Sequence, residues 1–61
     1  MDLEWHPGVV IVTNPPDSLD FLIDEEGIDG IEYDKEGRAV IRYDEGVWSE
    51  DDLRTRLQDL S

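Results

Sequence analysis

Sixty-one residues allow one small domain and no second, and a chain of this size buries only roughly 60% of the surface its unfolded form exposes. With no cysteine, disulfide frameworks, thiolate metal sites and thiol nucleophiles are excluded, and the longest apolar run, Val9-Val10-Ile11-Val12, falls far short of the roughly 20 residues of a membrane span. Seventeen acids against five bases give a net charge of −12, which sets the chain against nucleic-acid phosphates and anionic lipid surfaces as direct partners.

The N-terminal Met1-Asp2-Leu3-Glu4 is acidic where an export signal would be basic, so a cytoplasmic protein is expected. Residues 9–13 (Val-Val-Ile-Val-Thr) are β-branched throughout, which suits a central strand. Asn14-Pro15-Pro16 ends it, because the two prolines remove ladder donors and force a turn. Asp17 or Ser18 then caps a predicted α-helix over about 18–26, with Leu19, Leu22 and Ile23 on its buried face and Asp24, Glu25 and Glu26 outward. Gly27 is placed for a left-handed stop.

A hairpin follows. Ile28, Ile31 and Tyr33 precede the turn Asp34-Lys35-Glu36-Gly37, in which Gly37 supplies the positive φ, and Ala39, Ile41 and Tyr43 form one face of the second strand. Arg38, Val40 and Arg42 share the other face, with both arginines in cross-strand reach of Glu32 or Asp34. The last element is a helix from about 50 to 60. Ser49 caps it, Asp52 completes a capping box, Trp48 staples onto Leu53, and Leu53, Leu57 and Leu60 form the buried stripe. Glu50–Arg54 and Asp52–Arg56 are spaced as i,i+4 ion pairs.

The order is strand, helix, strand, strand, helix, an α+β pattern. From Gly27 onward the residues resemble the heavy-metal-associated domain, a ferredoxin-like family of copper and zinc chaperones. Gly27-Ile28-Asp29-Gly30-Ile31-Glu32-Tyr33-Asp34 is similar to that family's entry into its second strand, Ala39-Val40-Ile41-Arg42-Tyr43-Asp44 to its third strand, and Val47-Trp48-Ser49-Glu50-Asp51-Asp52-Leu53 to the capped start of its second helix. The resemblance covers about 35 structural positions and implies one domain over residues 1–61: a small ferredoxin-like sandwich, its antiparallel sheet carrying two helices on one face. The family's Met-x-Cys-x-x-Cys metal loop is missing. In its place stands Asn14-Pro15-Pro16-Asp17-Ser18-Leu19-Asp20, where Asp17 and Asp20 keep the cysteine spacing as hard carboxylates unsuited to Cu(I). The family's fourth strand is also missing after the last helix, which would leave residues 9–13 as a bare apolar edge. Two remedies are open. Residues 2–5 can fold back through His6-Pro7-Gly8 as an extra N-terminal edge strand, the slightly preferred arrangement, or two chains can pair through that edge as a weak homodimer.

No catalytic constellation is present: His6 stands alone in a turn, and Ser18 and Ser49 read as caps. Metal candidates reduce to Asp17, Asp20 and His6, with no cofactor implied. Trp5 and Trp48 read as core anchors, and otherwise as partner contacts. The acids are spread through every segment, lean to Asp, and face mostly Arg, a pattern like that of cytoplasmic proteins of salt-accumulating halophiles; the other reading is a surface made for a basic partner. The expectation is a non-catalytic acidic protein-interaction module, and the alternative a small metal-handling protein with a non-thiolate site.

Overall fold

In the computed structural model, which describes residues 1–60, the chain opens with a strand, β1 (Asp2–His6). Its acidic residues alternate with apolar ones, so Asp2, Glu4 and His6 face solvent while Leu3 and Trp5 lie against the core. Pro7-Gly8 turns the chain, Gly8 taking φ +72°, and β2 (Val9–Thr13) returns antiparallel in the register Asp2↔Thr13 to His6↔Val9. The fold-back is therefore the arrangement adopted, and the edge of β2 that two chains could have shared is already occupied. On its other side β2 pairs with β4, so its β-branched run is central. Val10 and Val12 are fully buried on the core face, whereas Val9, Ile11 and Thr13 are half-buried on the opposite face.

The first helix departs from expectation. It is a 3₁₀ helix over Asp17–Asp24, not an α-helix over 18–26. Neither Asp17 nor Ser18 caps it. Pro16, held extended at φ −69° and ψ 153°, occupies the cap position without a side-chain bond, and its carbonyl accepts the Leu19 N–H at 3.1 Å. The Ser18 hydroxyl donates instead to the Leu60 carbonyl at 3.0 Å, satisfying one orphan acceptor at the end of the last helix. The 3₁₀ form is compatible with the length of the crossover. This crossover must run back along the sheet from the end of β2 to the start of β3, about 16 Å for a five-residue strand. Eight residues span roughly 16 Å as a 3₁₀ helix but only about 12 Å as an α-helix. With three residues per turn, Leu19 and Leu22 share the buried row, and Ile23 turns outward to 47% exposure beside Phe21 at 74%.

Gly27 at φ +87° leads into β3 (Ile28–Tyr33), which forms a hairpin with β4 (Ala39–Tyr43). A register shift between Ile28 and Gly30 bulges Asp29, so Ile28, Ile31 and Tyr33 all fall on the helix side of the sheet. The hairpin turn is as expected. Gly37 has φ +80°, the Asp34 N–H donates to the Arg38 carbonyl at 2.9 Å, and Ala39, Ile41 and Tyr43 are buried. Asp34 Oδ1 accepts the backbone N–H groups of Glu36 and Arg38, each at 2.9 Å, and Oδ2 accepts Arg38 Nε at 2.7 Å. The Arg38 N–H foremost, helped by its guanidinium, holds the Asp34 carboxyl below the usual carboxylate range. Arg42 pairs with Glu32 across the ladder and folds its guanidinium over Gly30, where a Cβ would come within 2.9 Å of Nη2.

The last helix, α1 (Glu50–Leu60), starts as its residues dictate: Ser49 Oγ accepts the Asp52 N–H at 3.1 Å, and three acids occupy the first turn, where the helix dipole favours them. Leu53 and Leu57 are fully buried and Leu60 packs at the margin. The two expected i,i+4 ion pairs do not form. Arg54 reaches Asp51 at 2.9 Å while lying 5.4 Å over the Trp5 ring, and Arg56 crosses to Glu25. An aromatic face and an acid from another element offer these cations more than the neighbouring turn does.

The result is an α+β protein whose four-stranded antiparallel sheet has the order β1-β2-β4-β3. Leu19 and Leu22 of the 3₁₀ helix and Leu53 and Leu57 of α1 join Val10, Val12 and Ile41 in one core, so both helices lie on one face of the sheet. Among the described residues no helix is long and apolar enough to cross a membrane.

Candidate interaction groove

The five side chains singled out in the sequence do not converge. His6 sits at the Val9 end of β2 and hydrogen-bonds Glu4 through Nε2 at 2.7 Å. Asp17 and Asp20 lie beyond the Thr13 end, about 15 Å away along a five-residue strand. Three residues apart in a 3₁₀ helix, they share one row, and that row faces Tyr33. Asp20 Oδ1 accepts the Tyr33 hydroxyl at 2.7 Å, and this bond, reinforced by partial desolvation and by the charges of Asp20 and Asp17, raises the Tyr33 pKa. Among the described residues no group of three or more His, Asp or Glu is arranged to hold a metal ion.

The tryptophans divide. Trp5 is structural: its ring meets Tyr43 edge-on at 6.2 Å and 87° and carries the Arg54 guanidinium on its face. Burial, with the charges of Glu50 and Glu45, raises the Tyr43 pKa. Trp48 also touches the core, yet it lines an open groove between the end of the 3₁₀ helix, the turn before α1, and α1 itself.

That groove is assembled by three backbone devices. Gly27 lets the chain press on the turn, since a Cβ there would stand 2.6 Å from Val47 Cγ1 and 2.9 Å from Trp48 Cδ1. The Asp44 carbonyl accepts the N–H groups of Val47 and Trp48, each at 3.0 Å, and the Asp44 carboxylate accepts the Gly46 N–H at 2.8 Å, which shapes the turn. The indole Nε1 donates to the Glu26 carbonyl at 2.8 Å and locks the ring in place. Around Trp48 and the half-exposed Val47 stand Glu25, Glu26, Asp52 and Asp59, with Arg56 as the single cation and already paired with Glu25. The groove thus presents an oriented indole inside a ring of net charge −3. Such a site attracts an organic cation, whose ammonium or guanidinium can lie on the indole while carboxylates neutralise it.

The wider charge distribution points the same way. The four strands and the 34–38 turn carry six acids against three bases, a net −3, whereas the helices and remaining turns carry eleven against two, a net −9. The residues read in the sequence include Trp48 as a contact candidate but not its companions, because Glu25 and Glu26 reach it through tertiary links, the indole bond to the Glu26 carbonyl and the Arg56–Glu25 pair, that no local spacing announces. The chain matches no family model, no curated protein and no solved structure.

Proposed function

We propose that this protein is a non-catalytic interaction module of ferredoxin-like build that receives a basic segment of a partner protein in the Trp48 groove. The observation that carries this reading is the locked indole ringed by Glu25, Glu26, Asp52 and Asp59 on the layer that holds most of the negative charge. The sequence resemblance to the heavy-metal-associated family supports the frame and not the family's activity. The metal-handling alternative is weaker, because His6 and the Asp17–Asp20 pair stand at opposite ends of β2 and the Asp20 carboxylate is engaged by Tyr33. A cytoplasm rich in salt suits the acid excess and is part of the same proposal.

The test is a titration with an end-blocked Lys/Arg-rich peptide and its Glu-rich counterpart, read by indole fluorescence and amide shifts, with Cu(I) and Zn(II) as separate arms. Saturable binding of the basic peptide alone is expected. Replacing the pair Glu26 and Asp52 by Gln and Asn should weaken it roughly tenfold. Stoichiometric sub-micromolar metal binding with no peptide binding would overturn the reading in favour of metal handling.

A further inference from the structure

We propose that the Trp48 groove reads a spacing: it takes a segment in the polyproline II conformation whose two cationic side chains are three residues apart, with no cation between them. This rests on the reading of the groove as the site for a basic partner. The groove follows α1 because the chain beside it runs antiparallel, from Ser18, bonded to Leu60 at the C-terminal end of the helix, to Glu26, bonded to Trp48 just before its N-terminal end. On α1, Asp52 and Asp59 both line the groove at positions i and i+7, two turns apart, so they stand on one face about 10 Å from each other. Both side chains lean toward the helix N-terminus, which preserves that spacing.

The ends of the groove differ from its middle. Neither Asp52 nor Asp59 holds an ion pair among the described residues, and Asp52 shares its end with Glu26 and the indole. Between them Arg56, paired with Glu25, neutralises the middle and keeps a guanidinium there. A ligand cation brought to the middle therefore meets a like charge and a carboxylate already engaged. Backbone geometry then selects the occupant. In polyproline II, with three residues per turn and a rise of about 3.1 Å, side chains i and i+3 lie on one side about 9 Å apart, close to the separation of the two free carboxylates. A β-strand fits worse, because its same-side residues fall about 7 or 13 Å apart. One cation then lies on the indole beside Glu26 and Asp52, the other reaches Asp59, and the two residues between them pass Arg56 without charge.

The test uses three end-blocked hexapeptides of one composition: Gly-Arg-Pro-Pro-Arg-Gly, Gly-Arg-Pro-Arg-Pro-Gly and Gly-Pro-Arg-Arg-Pro-Gly. Each is titrated into the full ¹⁵N-labelled chain and followed by indole fluorescence and amide shifts. Their charge is the same, so long-range attraction is shared and only the spacing of the cations separates them. The first peptide is expected to bind roughly three- to fivefold tighter than the other two and to shift the amides of Asp52 and Asp59 together. Asp59→Asn, at an exposed position of α1, should lower the first peptide to the level of the others and leave those unchanged. Arg56→Gln should close the gap from the other side, by raising the two weaker peptides, because it removes the like charge and frees Glu25. Equal affinities for the three, or an optimum at a separation of one or two, overturn the spacing and leave the groove as a site for cations. A gap that survives Asp59→Asn takes away the second carboxylate and overturns the proposal as well. Binding of none of the three overturns the groove reading itself.

Discussion

Gly27 carries more of this structure than its size suggests. A Cβ there is opposed twice, by a backbone at φ +87° and by Val47 and Trp48 within 3 Å. Gly37 has nearly the same φ, +80°, but open space around it. Gly37→Ala therefore pays for backbone strain alone, about 1 kcal/mol, whereas Gly27→Ala adds the displacement of Val47 and the indole and should cost roughly 2–4 kcal/mol. Chemical denaturation of both variants checks the difference. Equal losses would show that the turn yields freely and that Gly27 does not hold the groove. The sequence places Gly27 as the left-handed stop of the first helix; its φ is positive as expected, but the helix ends earlier, at Asp24 with Glu25 extended in the C-cap position. The residue Gly27 presses against was not legible in the sequence, because Val47 lies twenty positions away.

At the scale of elements, the legible parts are those set by neighbours in the chain. The 34–37 turn and the capped start of α1 follow from local patterns and are present, and the fold-back of residues 2–5, the preferred of two remedies for the bare edge of residues 9–13, is present with His6 added to the strand. The 3₁₀ helix was illegible because Leu19, Leu22 and Ile23 suit a period of 3.6 as well as one of 3.0, and nothing in their spacing decides between them. Its register can be tested by two neighbouring truncations. Leu22→Ala removes a fully buried side chain and should cost about 2–5 kcal/mol, whereas Ile23→Ala removes a half-exposed one and should stay within roughly 0.5 kcal/mol. An α-helix over 18–26 would make both expensive. Denaturation midpoints of the two variants measure it, and comparable losses would rule out the 3₁₀ register. The ion pairs of α1 teach the same lesson: spacing offered Arg56 to Asp52, and the tertiary structure gave it to Glu25.

For the molecule as a whole, charge adds a self-repulsion that opposes the compact state, concentrated where the helices and turns hold a net −9. At about 0.1 M salt the screening length is near 10 Å, comparable with the radius of so small a domain, and at about 1 M it falls to roughly 3 Å. The core is too small to hold a wide reserve against that repulsion. The melting temperature should therefore rise steeply between those concentrations and respond alike to sodium and potassium chloride, since screening needs no specific site. Thermal melts from about 0.05 to 2 M salt check this. A flat midpoint would mean that the acid excess does not oppose folding, leaving recognition of a basic partner as its only reading.

The strand order has a consequence for how the chain reaches its native state. The β1–β2 and β3–β4 ladders are each closed by a short turn, so both hairpins can form on the scale of microseconds with little chain to gather. The β2–β4 ladder is different, because it must bring together strands separated by residues 14–38, with the 3₁₀ helix and the whole of β3 inside the loop. One encounter between two prebuilt ribbons thus carries most of the search. It is made by Val10 and Val12 against Ala39 and Ile41, side chains with no exposed surface once the ribbons have met.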